Sequence, residues 1–211
     1  KHRLEPYFNF GGRKFFNPNQ IPYLLDLHLF EFCGKQFIEQ MEKSKGDNMT
    51  INVLSTGGTF DKAYGSGAGV KNFSFPQTSA AEEMITRLGL TNIEVSYQPD
   101  RAKDSLDMDD TDRTFIADWC ATHDRSVVIH GTDTMIETAK IVAERCPDKV
   151  VVLTGALQPA RMRDTDAEFN LGGAVIAAQA SVPGVYIVMD GKLFIWDKCK
   201  KNPTTGHFEP L

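Results

Sequence analysis

Ser126-Val127-Val128-Ile129-His130-Gly131-Thr132-Asp133-Thr134-Met135 is the stretch on which the fold turns. Ser126 to His130, with Val127-Val128-Ile129 at its centre, is of strand length, and the stretch ends in a segment of helical spacing, Thr134 to Glu144. Val150-Val151-Val152-Leu153-Thr154 and Val185 to Met189 are runs of the same kind. Strands that are apolar throughout, rather than alternating, are buried on both faces and belong to parallel sheets covered by helices. Working outward, Ile51 to Ser55 is predicted as a strand, and Asn92 to Tyr97 as another from its alternation of Ile93, Val95 and Tyr97. Further helices are predicted over Ser79 to Leu88, Thr111 to Thr122 and Ala167 to Ala180. The first is capped by Thr78 or Ser79, with Glu82 completing a capping pattern. The fold class is α/β, a mostly parallel sheet flanked by helices on both faces in a Rossmann-like, three-layer arrangement.

The chain changes character near residue 45. Before it come aromatic residues between Asn and Gly turns (Phe8-Asn9-Phe10-Gly11-Gly12, Phe15-Phe16-Asn17-Pro18-Asn19). Ile21, Leu24, Leu25, Leu29 and Phe32 then follow at helical spacing, continuing past Gly34 to Phe37, Ile38 and Met41. Lys43 to Asn48 reads as a linker. Residues 1–48 are therefore expected to form an aromatic and helical appendage, and residues 49–211 an α/β domain. The apolar side of that helix is expected to pack on the domain or on a dimer mate.

Composition narrows the function. The 211 residues are 41% hydrophobic and 24% charged, ordinary globular values. With 23 Lys and Arg against 28 Asp and Glu, the net charge of -5 argues against nucleic acid as a partner. Cys33, Cys120, Cys146 and Cys199 form no C-x-x-C pair, which disfavours zinc ribbons and thioredoxin-like sites. Free thiols in a reducing compartment are the expectation. No 18-residue apolar run is present, and Ile21 to Phe32 is interrupted by Asp26, His28 and Glu31 and lacks a small-residue cleavage site. A cytoplasmic protein with no membrane partner is expected.

Ligands of open α/β sheets sit outside the carboxyl ends of the strands. Three such ends carry Thr56-Gly57-Gly58-Thr59, His130-Gly131-Thr132-Asp133-Thr134 and Thr154-Gly155-Ala156. Thr132 or Asp133 would serve as a helix N-cap, and Asp164 or Asp166 as another. Capping accounts for one polar residue in the 130–134 turn, not three. There is no phosphate loop, no G-x-G-x-x-G and no G-x-S-x-G elbow. Hydroxyls and backbone amides thus converge on one rim, as nucleophilic catalysis by a hydroxyl requires. The base there is Asp133, a water, or a lysine that loses its proton in a crowded pocket. His130 is the histidine beside the cluster.

Thr56-Gly57-Gly58-Thr59, Lys103-Asp104-Ser105-Leu106-Asp107-Met108, His130 to Thr134 and Thr154-Gly155-Ala156 with Phe169-Asn170-Leu171 resemble, in order, the signature blocks of the bacterial-type L-asparaginases, the asparaginase/glutaminase family. The resemblance runs from about Thr50 to Phe208 and is to short, single-domain members, similar to the N-terminal domain of the larger enzymes. It implies hydrolysis of L-asparagine to L-aspartate and ammonia through a threonine acyl-enzyme, in an oligomer (a homodimer or homotetramer). By resemblance Thr59 is the nucleophile, Thr132 and Asp133 the second hydroxyl and its carboxylate, and Lys201 the lysine completing that second triad, with Lys200 as rival. Ser105, with Asp104, Gly58 and Gly131, resembles the substrate-binding set, and Tyr64 a tyrosine that orients the nucleophile. Gly58 or the Thr132 turn would hold the oxyanion. Amide hydrolysis by a hydroxyl needs no metal or organic cofactor. Another small amide, such as glutamine or a modified amino acid, is an alternative substrate, and a weakly catalytic amino-acid-binding module is an alternative function. Three departures stand out: no counterpart of the larger enzymes' second domain, Leu106 where they carry a glutamine, and residues 1–48, which match no block.

Overall fold

The computed structural model describes residues 7–10, 13–16, 49–64 and 72–211. The chain divides into two compact units, Lys1–Asp47 and Asn48–Leu211. In the first, β1 (Tyr7–Phe10) pairs antiparallel with β2 (Arg13–Phe16), Tyr7 opposite Phe16. The helix expected between Ile21 and Met41, the linker after it and Cys33 lie outside the described residues.

Along the second unit run β3 (Ile51–Ser55), α1 (Gly58–Asp61), β4 (Ala63–Tyr64), β5 (Phe73–Ser74), α2 (Ala80–Leu88), β6 (Ile93–Tyr97), α3 (Asp110–Ala121), β7 (Arg125–Ile129), α4 (Met135–Arg145), β8 (Val150–Thr154), α5 (Ala167–Ala180), β9 (Gly184–Met189), β10 (Lys192–Ile195), β11 (Cys199–Lys201) and β12 (Phe208–Pro210). Six strands form the main sheet in the order β10-β9-β8-β7-β3-β6. All its pairings are parallel except β10 on β9. β7 and β8 are buried at every position: their apolar stretches Val127-Val128-Ile129 and Val150-Val151-Val152-Leu153 face both cores, and Arg125, Ser126 and Thr154 are buried with them, while β6, at the edge, alternates half-buried and exposed residues. The fold is α/β, as the sequence implies.

Two cores flank the sheet. On one face Ile51, Val53, Val127 and Val152 pack against Met84 of α2 and Leu171 of α5. On the other, Leu54, Val128 and Leu153 pack against Ile116 of α3 and Met135 of α4. The connections β7–α4–β8 and β8–α5–β9 step the same way across the sheet but use opposite faces, so they have opposite hands. One of them departs from the right-handed rule for parallel crossovers.

The helix ends follow their local chemistry. Ser79 caps α2, accepting from the Ala81 amide at 3.1 Å. Asp109 and Asp112 close a reciprocal capping box on α3. α4 starts at Thr134 with no side-chain cap, so Thr132 and Asp133 do not serve that helix. Three strands follow the Val185 to Met189 run. Asp190 and Gly191, at φ 56° and 70°, reverse the chain so that Met189 faces Lys192 in β10, and β11 and β12 follow as a separate hairpin. Among the described residues no helix is long and apolar enough to cross a membrane.

Leu153 is fully buried in the second core. Leu153→Ala should cost about 2–5 kcal/mol, measured by urea unfolding. A cost near zero would mean that the strand does not lie where the structure puts it.

Candidate active site

The parallel order β6-β3-β7-β8-β9 reverses direction between β3 and β7. At such a switch point the two neighbouring turns leave toward opposite faces, and a crevice opens between them. The ladder runs one residue past each strand. Thr56 donates from its amide to the Ile129 carbonyl at 3.0 Å and from Oγ1 to the same carbonyl at 2.8 Å, and the His130 amide donates to Thr154 at 2.8 Å. The 56–59, 130–134 and 154–156 turns therefore start side by side.

Glycine lets them close. Gly58 has φ 64°, and a Cβ there would stand 2.5 Å from the Gly131 nitrogen. A Cβ on Gly131 would meet Ser105 Oγ at 2.6 Å. The Thr59 and Thr132 turns thus meet backbone to backbone, and the Ser105 side chain packs on the bare Gly131. The Gly58 amide donates to the Lys103 carbonyl at 2.8 Å and the Lys103 amide to the Thr56 carbonyl at 3.0 Å, which fixes the 103–106 loop against β3. Thr134 Oγ1 ties the same loop from the other side, donating to the Ser105 carbonyl at 2.8 Å.

Lys201 supplies the charge. Its Nζ donates to Thr132 Oγ1 at 2.7 Å and to Asp133 Oδ1 at 2.6 Å. Strand alternation explains why Lys201 rather than Lys200 does so. Cys199 is buried, Lys200 turns to the opposite face and pairs with Glu209 at 3.5 Å, and Lys201 returns to the inner face opposite the fully buried Phe208. Thr132 is almost wholly buried and Asp133 exposed.

Thr59 is half-buried in the single turn of α1, next to fully buried Phe60. Ser105 Oγ is buried with no hydrogen-bond partner among the described residues. Asp104 accepts from Lys62 and from the Leu106 amide. Partial burial alone would raise the Asp104 carboxyl, but the Lys62 and amide hydrogen bonds outweigh it and hold the group below its ordinary value. Tyr64 is exposed, its ring stacked on Phe73 with centroids 4.3 Å apart, and it is not among the side chains tied to this group. Leu106 is 71% exposed. The third turn is held by Asp166, whose carboxylate accepts from the Leu157 and Gln158 amides at 3.0 Å, and by Asn170 Nδ2, which donates to the Gly155 carbonyl at 3.0 Å.

Two ionisable groups beneath the site stay out of bulk water. His130 is fully buried and burial pulls its pKa down to about 4, against the opposing bond to Gly131. Its Nδ1 lies 2.7 Å from the Gly131 carbonyl, so Nδ1 carries the proton and Nε2 accepts from Thr138 Oγ1 at 2.9 Å. His130 is therefore a neutral strut of the 130–134 turn. Asp61, which the sequence gives no reason to single out, is fully buried at the end of α1. Its carboxylate accepts from Ser55, from Ser79 Oγ at 3.0 Å and from the Ala80 amide at 2.7 Å.

Comparison with known proteins covers most of this unit. The family described as Asparaginase, N-terminal, matches residues 50–208. The L-asparaginase of Thermococcus kodakarensis is 27% identical over 173 residues, 75% of this chain and 49% of that protein. L-asparaginase 2 of Escherichia coli is 40% identical over 91 residues, 41% of this chain and 26% of that one. The solved structure of the thermostable L-asparaginase from Thermococcus kodakarensis superposes with a TM-score of 0.64 at 25% identity, covering 77% of this chain and 51% of that one. The match to the full-length Thermococcus relative spans about half of its length.

The neutral histidine has a consequence for acid stability. Its folded pKa of about 4 lies below the ordinary 6.5, so between those values the unfolded chain binds a proton that the native one refuses. Stability owed to neutral His130 is present above pH 6.5 and lost as pH falls toward 4. The difference amounts to about 3 kcal/mol. Urea unfolding at about pH 7 and about pH 4.5 should show a weaker pH dependence in His130→Asn than in the natural chain. Equal dependence in both would rule out the buried neutral state.

Proposed function

This chain belongs to the asparaginase family, and from that premise we propose that residues 49–211 hydrolyse the side-chain amide of L-asparagine to L-aspartate and ammonia through an acyl-threonine. The observation that carries the reading is the contact of one lysine with both Thr132 and Asp133, on a turn packed against the turn that holds Thr59.

The substrate is a small zwitterion with an amide at its far end. Ser105 Oγ, buried and unpaired among the described residues, is suited to its α-carboxylate, and the exposed Asp133 carboxylate to its ammonium. Thr59 Oγ attacks the amide carbon and its proton passes to the Lys201–Thr132–Asp133 group acting as base. Collapse of the tetrahedral intermediate breaks the C–N bond, ammonia leaves with that proton, and an aspartyl ester remains on Thr59. Water, deprotonated by the same group, then cleaves the ester, returning the proton to Thr59 and releasing aspartate. Of the two oxyanion donors expected, the Gly58 amide is committed to the Lys103 carbonyl, so the role falls to the Thr132 turn.

Thr59→Ala should lower ammonia release from asparagine by about 10³-fold or more while calorimetry still detects asparagine binding. Lys201→Met should cost about 10²-fold or more. Undiminished turnover in Thr59→Ala would discard Thr59 as the nucleophile. Ammonia from glutamine or another amide, but not from asparagine, would move the activity to that substrate, and asparagine binding without ammonia would make the domain a binding module.

A further inference from the structure

Asp61 has no part in the chemistry above, yet it is the buried carboxylate nearest in sequence to Thr59. α1 is one turn long, and an isolated turn of helix does not hold itself together in water. Its start is fixed by the Gly58 amide on the Lys103 carbonyl. Its end is fixed by Asp61. One carboxylate oxygen receives Ser55 Oγ at the carboxyl end of β3, and the other receives Ser79 Oγ and the Ala80 amide at the start of α2. The backbone of α1 is held from above as well: the Ala160 amide donates to the Phe60 carbonyl at 3.0 Å and Arg161 to the Asp61 carbonyl at 3.1 Å.

We propose that Asp61 is a positioning residue for Thr59: its carboxylate clamps the one-turn helix between β3 and α2 and so sets the direction in which the Thr59 hydroxyl points. The value of this inference for turnover rests on the acyl-threonine reading; the clamp itself does not. A nucleophile displaced by about 1 Å loses a large part of its advantage, and three hydrogen bonds to one buried carboxylate are a stiff means of preventing that.

The clamp is sensitive to protonation. Burial pushes the Asp61 carboxyl above its ordinary value of 3.8, against the bonds from Ser55, Ala80 and Ser79 and the charge of Arg161. Among the described residues Arg161, itself paired with Glu83 of α2, and the phenol of Tyr97 on β6 are the titratable groups that face it. A protonated carboxyl gives up part of its acceptor capacity and loosens the turn.

The test is NMR of the full chain with carbon-labelled threonine methyls and aspartate carboxyls, titrated through the Asp61 carboxyl transition wherever it falls above the ordinary value of 3.8. The Thr59 methyl is expected to shift in the same transition as the Asp61 carboxyl. Ser55→Ala keeps the carboxylate but removes one arm of the clamp, and it should move the Thr59 methyl toward its acid position already at neutral pH. Asp61→Asn keeps the size of the side chain; it should abolish the Thr59 transition and lower kcat about tenfold or more with KM within about twofold. A Thr59 methyl that stays still through the Asp61 transition, or is unmoved by Ser55→Ala, overturns the proposal, as does Asp61→Asn with full kcat. If the natural chain releases no ammonia from any amide, the acyl-threonine reading fails while the methyl titration still decides the clamp.

Discussion

The reversal of strand order between β3 and β7 is the constraint from which the site follows. Parallel neighbours place their carboxyl ends at the same level, and at the reversal no crossover helix fills the space between them. The 56–59 and 130–134 turns must then meet, and they do so through Gly58 and Gly131, where a single added methyl group would collide. Hydroxyls 73 residues apart in sequence, Thr59 and Thr132, come onto neighbouring turns by topology before any side chain is chosen for its chemistry.

Around that crevice the structure treats its charges unequally. At the rim Lys201 reaches both Thr132 and Asp133, with the Asp133 side chain open to solvent. His130 and Asp61 lie beneath, fully buried, and act through geometry. One is neutral and spends one ring nitrogen on the Gly131 carbonyl and the other on Thr138 of α4; the other spends its carboxylate on the ends of β3 and α2. The loop after β8 contributes too: it passes over α1 on its way to the face taken by α5, and it carries Ala160 and Arg161 onto the Phe60 and Asp61 carbonyls. A crossover of the opposite hand to its neighbour thus reinforces the turn that carries Thr59.

Much of this was legible in the chain itself. Val/Ile/Leu runs identify the central strands to within a residue, because the middle positions of parallel strands buried on both faces are apolar and only their ends carry polar residues. The turn residues stood out because hydroxyls and glycines crowd where loops are short. Other features are written more faintly. The Asp190-Gly191 dipeptide between the Val185–Met189 run and Lys192-Leu193-Phe194-Ile195 is a hairpin signal that reveals β10. The alternation Cys199, Lys200, Lys201 distinguishes the lysines once β11 is read as a strand whose first residue is buried. Asp61 gives no such sign: its partners, Ser55 and Ser79, lie on different elements, and only the packed structure shows that an aspartate beside a phenylalanine faces inward. The hand of the β8–β9 connection is likewise a property of three-dimensional packing, with no local pattern to announce it.

In the proposed mechanism the alcohol on the first turn forms the covalent bond and the lysine group on the second moves the proton. Acid quenching during turnover of asparagine, followed by peptide mapping by mass spectrometry, tests it directly. The account requires one aspartyl ester, carried on Thr59. An ester on Thr132 instead, or steady ammonia release with no ester on either threonine, would contradict it.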